Sequence, residues 1–138
     1  MSRLIIAVAA FATFAIAAHA EISHSSNAFA KRYTIKISDE ILEKSPSWND
    51  DAENPPLSAR KAISLANEMK DSLVKDSDEF KWKLQSTSLQ PTDGDKWYWL
   101  VRYEAKFQGG GSTGVPNHLR LAVLMDGTVI KPIVSDYP

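Results

Sequence analysis

The sequence predicts an α+β fold: one amphipathic helix packed on a four- to five-stranded antiparallel meander. Three observations carry this. Between Ser58 and Leu73 the apolar residues recur at three- and four-residue steps, which marks one face of a helix. From Phe80 onward the period drops to two, the pattern of half-buried strands. Asp93-Gly94 and Asp126-Gly127 then punctuate those strands with the residues that tight turns favour.

The chain opens with Met1-Ser2-Arg3, a nearly unbroken apolar run from Leu4 to Ala18, and the small-x-small triplet Ala18-His19-Ala20. That order is a secretory signal peptide over residues 1–20, with the mature chain starting near Glu21. The run is shorter than the ~20 apolar residues of a membrane anchor and ends in a cleavage signal. The expected location is therefore the periplasm or the outside of the cell, with no membrane span after cleavage.

Residues 21–56 read as a flexible leader, a short strand and a linker rich in Pro and acid. Glu21 to Ala30 is rich in Ser and Ala and has no period. Tyr33-Thr-Ile-Lys-Ile37 alternates apolar and polar. Pro46, Pro55 and Pro56 forbid a long helix in the linker, where Trp48 stands out as a loop tryptophan that docks on a core or awaits a partner.

Residues 57–138 form the expected domain. Ser58 is a good N-cap, and Ala59, Ala62, Ile63, Ala66, Met69 and Leu73 make the buried stripe of a helix that fades near Lys75. Phe80, Trp82 and Leu84 begin a strand that runs to Leu89. After the Pro91–Asp95 turn, Trp97, Trp99, Val101, Tyr103, Ala105 and Phe107 form the core face of a long strand. Tyr98, Leu100, Arg102, Glu104 and Lys106 fall on its outer face. A loop from Gln108 to Asn117 leads to Leu119, Leu121, Val123 and Met125, and Thr128 to Val134 is the last strand. Pro132 cannot donate to a ladder, so that strand belongs at an edge or carries a bulge.

Composition excludes several kinds of chemistry. Removing 20 of 138 residues leaves 118, enough for one hydrophobic core. Removing Arg3 with them takes the formal charge from −1 to −2, which provides no electrostatic reason for nucleic acid or anionic lipid as partner. The absence of cysteine excludes disulfides, thiolate catalysis and thiolate metal ligation. No Asn-x-Ser/Thr sequon occurs, which fits a bacterial exported protein.

No motif specifies an enzyme. Gly109-Gly110-Gly111-Ser112-Thr113-Gly114 has the letters of a dinucleotide fingerprint, but a strand rather than a helix follows it, so a hairpin loop is the better reading. His24 and His118 are the only histidines of the mature chain, and no serine sits in a nucleophile elbow. The acidic clusters at Asp50-Asp51-x-Glu53 and Asp76-x-Asp78-Glu79 lack the spacing of a calcium loop. No catalytic residue, metal or cofactor is assigned.

The segment from Leu57 to Val134 resembles the PepSY and cystatin-like group of small secreted α+β modules. The likeness rests on Ser58-Ala-Arg-Lys-Ala-Ile-Ser-Leu-Ala66, Trp97-Tyr-Trp-Leu-Val-Arg-Tyr103 and Val123-Leu-Met-Asp-Gly-Thr-Val-Ile130. Gln90-Pro-Thr-Asp-Gly94 shares two positions with the Gln-x-Val-x-Gly loop of cystatin-type inhibitors, with Thr92 at the family's valine. What the resemblance implies is binding of a protease or another extracytoplasmic partner, without shared catalytic residues.

The expectation is therefore an exported, non-enzymatic protein- or ligand-binding module. The alternatives are a cysteine-protease-inhibitor-like protein, a structural envelope protein and, further off, a small hydrolase. Binding is expected either at the glycine loop, through Gly109, Gly110, Gly111, His118 and Arg120, or on the outer sheet face at Tyr98 and Leu100.

Overall fold

The computed structural model describes residues 21–49, 51–111 and 114–138, so the expected signal peptide lies outside the described residues. The fold is mixed α+β, with two antiparallel three-stranded sheets and one main helix. One sheet joins β1 (Ile22–Ala28), β2 (Lys31–Ile37) and β6 (Ile133–Asp136) in the order β1-β2-β6. The other is a meander of β3 (Phe80–Pro91), β4 (Trp97–Phe107) and β5 (Asn117–Leu124). Between the sheets in sequence come a short helix α1 (Asp39–Glu43) and the main helix α2 (Ala59–Leu73).

Helix α2 forms where the apolar spacing places it. The Ser58 hydroxyl caps it by accepting the Lys61 N–H at 3.1 Å. Ala62 and Ala66 are fully buried against the Trp99, Val101 and Tyr103 face of β4, and their small size lets the helix lie close to the sheet. Two polar handles fix its angle. The Trp99 indole donates to the Leu57 carbonyl at 2.9 Å, and the Tyr103 hydroxyl donates to Asn67 Oδ1 at 2.7 Å.

The register between β3 and β4 slips between Leu84 and Ser86. That bulge explains why the apolar phase of β3 is even at Phe80, Trp82 and Leu84 but odd at Leu89. It turns Ser86 and Ser88 to the outer face, opposite Arg102 and Leu100.

The expected four- to five-stranded meander has three strands. After the Asp126-Gly127 turn, Val129 makes a single bridge to Val123 and Ile130 N–H bonds the Ala122 carbonyl. Pro132, which has no N–H, follows, and the chain leaves to pair as β6 with β2. The last strand is thus an edge strand, but of the other sheet.

The expected flexible leader is also structured. Ile22–Ala28 pairs along its whole length with Lys31–Ile37, from Ile22↔Ile37 to Ala28↔Lys31. This hairpin crosses the outer edge of β5 obliquely. Its tip lies on the helix side, where the Phe29 ring meets Phe80 edge-on at 4.9 Å. Its open end lies on the other side, where Ile35 and Ile37 bury Tyr98, Ala122 and Leu124 with Leu42 of α1. At the crossing the Ser26 hydroxyl accepts the Arg120 N–H at 3.0 Å. The β1–β2 hairpin therefore contributes to both cores, and Leu42 of α1 to the second.

Candidate functional site

Arg102 sits on β4 between Val101 and Tyr103, which are buried under α2, so strand alternation turns it to the opposite face. The ladder places it directly opposite Arg120 of β5, and places Glu104 opposite His118. Four side chains from two strands thus meet where the glycine loop leaves β4 and enters β5. All four are half-buried.

Each has a distinct environment. One Arg102 guanidinium nitrogen lies 3.3 Å from both ring nitrogens of His118, so the contact belongs to neither nitrogen alone. Arg102 Nε is buried and has no hydrogen-bond partner. Arg120 reaches the Ser25 carbonyl at 3.4 Å, and Glu104 pairs with Lys106 at 3.2 Å. Among the described residues, neither arginine is ion-paired to a carboxylate. Burial and then the Arg102 charge hold the His118 imidazole below its ordinary pKa; Glu104 pulls the other way without prevailing.

The glycine loop stands beside this group. Gly110 and Gly111 have φ of 75° and 80°, a region closed to most side chains. A hollow of about 270 Å³ lies between the loop and β4, lined by Glu104, Lys106, Phe107, Gly111, Gly114 and Pro116. Gly109 lies against the Phe107 ring, where an added Cβ would come within 2.6 Å of it.

The expected second location is corrected. Tyr98 is only 3% exposed, and Leu100 packs against the same core. Both do point away from α2, but the β1–β2 hairpin covers that half of the face. Tyr98 instead shares a hydrogen bond with His24 Nε2 at 2.8 Å. Burial raises the Tyr98 pKa and keeps its phenol protonated. Burial, then the Arg120 charge, lowers that of His24.

Trp48 docks at the other end of β4. Its backbone N–H donates to the Asp95 carbonyl at 3.0 Å and its ring meets Trp97 edge-on at 5.0 Å. Ser47, Asn49, Gly94 and Asp95 complete an open cleft of about 450 Å³ around the two rings.

Of the expected binding residues, the structure brings His118 and Arg120 together next to the loop and separates Tyr98 and Leu100 from them. Sequence reading missed Arg102 as a site residue and His24 as a neighbour. Strand alternation already put Arg102 on the outer face, but nothing local marked it as opposite Arg120. Ile22–Ala28 has too few apolar residues to show a period, so His24 carried no signal.

Among the described residues no group of three His, Asp or Glu side chains is placed to hold a metal ion. No described helix is long and apolar enough to cross a membrane. Comparison with protein-family models, curated proteins and solved structures finds no match to this chain.

Proposed function

We propose that this protein is an exported, non-enzymatic binding module that engages an extracytoplasmic protein, a protease or an envelope component. The binding surface is the outer face of β4 and β5 where the glycine loop begins. One observation carries the reading: Arg102, His118 and Arg120 converge beside a long glycine loop, and among the described residues neither guanidinium is ion-paired. Long loops on a rigid sheet are a common seat of recognition.

Two contacts favour binding over hydrolysis. His118 faces a guanidinium, which cannot pass it a proton as a nucleophilic hydroxyl would. His24 faces a phenol whose pKa is raised, and a protonated phenol is a weak nucleophile. The reading also agrees with the likeness to PepSY and cystatin-like secreted modules. A structural envelope role is the second reading, supported by the hairpin that covers Tyr98, Ala122 and Leu124.

The test is affinity capture from periplasmic or culture extract. The bait is the mature chain, compared with a version in which Gly109 to Gly114 is cut to a two-residue turn. Loop closure changes by only ~0.6 kcal/mol per doubling of length, so the shortened protein should fold. A partner recovered by the full chain and lost by the shortened one is the expected result. No reproducible partner at micromolar bait sinks the reading.

A further inference from the structure

We propose that the face around Arg102 and Arg120 receives a short acidic segment of a partner protein, with a carboxylate seated between the two guanidiniums. This rests on the binding-module reading above and names the chemistry of the partner. Like charges directly opposite on neighbouring strands are destabilising, and among the described residues no carboxylate is ion-paired to either arginine. A partner's carboxylate relieves this pair, since it matches a guanidinium in charge and in its fork of N–H groups.

The surroundings extend the same sign. The ladder sets Lys81 opposite Lys106 and Lys83 opposite Glu104 on this face. Five cationic side chains therefore face one carboxylate, in a chain whose formal net charge is −1. The balancing acid lies elsewhere: Asp39, Glu43, Asp93 and Asp95 line a hollow at the far end of β4. A long polyanion, such as nucleic acid or an anionic membrane, would meet that acidic end as well. A short acidic segment meets only the basic face.

Fluorescence anisotropy of a labelled oligoglutamate peptide tests this, with oligoglutamine as control and the mature chain as receptor. Oligoglutamate should bind, weaken as sodium chloride is raised, and bind about tenfold more weakly to each of Arg102→Gln and Arg120→Gln. Melting in low-salt, peptide-free buffer is the second readout. Relief of the like-charge contact should leave each variant at least as stable as the parent, and a large loss would make the pair structural and overturn the proposal. Equal binding by parent and variants also overturns it, as does protection by inorganic phosphate or phosphatidylglycerol vesicles where oligoglutamate fails. If both variants still capture the partner from extract, the acidic-segment proposal falls and the binding-module reading stands.

Discussion

His24 of the first strand and Tyr98 of the fourth share a hydrogen bond of 2.8 Å, across 74 residues of chain. The bond closes the hairpin over the outer face of the meander and makes Tyr98 a core residue. Tyr98→Ala should therefore cost ~3–5 kcal/mol, as removal of a buried aromatic side chain does. That matches Trp99→Ala and exceeds Trp97→Ala, whose ring is only half-buried. Tyr98→Phe removes the hydrogen bond alone and should cost about 1 kcal/mol. Urea unfolding of the four variants gives the ranking, and a negligible loss for Tyr98→Ala would contradict the covered face.

Stability should fall as the solution is acidified below neutral pH. The folded chain holds His24 and His118 below the ordinary imidazole value of 6.5. The unfolded chain therefore takes up protons first as the pH drops through 6.5. The stability these groups contribute is complete above that value and is lost as the pH falls toward their folded values. Equilibrium unfolding between pH 8 and pH 5 measures the slope, and His24→Gln should flatten it. A slope unchanged in His24→Gln and in His118→Gln would show that other groups set the acid limit.

The tip of the first hairpin is strained. Phe29 and Ala30 both have positive φ, 47° and 61°, where turns of this kind prefer Asn and Gly. Ala30→Gly relieves the Cβ contact and should stabilise by up to ~1 kcal/mol, after the entropy glycine adds to the unfolded chain. Phe29→Gly relieves the same strain but loses the ring contacts to Phe80 and Trp82, so it should destabilise. Thermal melts of the two variants should move in opposite directions.

Two turn glycines should respond differently to alanine. Gly127 has φ +90°, and its N–H bonds the Leu124 carbonyl, so Gly127→Ala should cost roughly 1–2 kcal/mol through backbone strain. Space is not the reason, since the nearest atom to an added Cβ is Leu65 Cδ1 at an ordinary 3.5 Å. Gly94 has no positive φ and nothing within 4 Å, so Gly94→Ala should leave the melting temperature nearly unchanged. Equal shifts would mean that the Asp126-Gly127 turn is not held in this geometry.

The elements that rest on local physics were legible in the chain itself. The Ser58 cap, the apolar steps of α2, the alternation of β4 and the Asp126-Gly127 turn each depend on neighbouring residues, and each occurs where its pattern stands. What the sequence could not show was which edge a weakly patterned segment would find. Ile22–Ala28 has little apolar periodicity, and it becomes a strand because β2 pairs with it and β5 gives it an edge to cross. That one long-range choice buries Tyr98, brings His24 to it and sends the chain after Pro132 to the other sheet. Charge follows the same logic. A near-zero total shows no sign preference, and only the register of β3, β4 and β5 gathers the cations on one face and leaves Arg102 opposite Arg120. Helix and strand periods are set by residues a few positions apart, whereas strand partners and surface charge are set by residues that meet only when the chain closes.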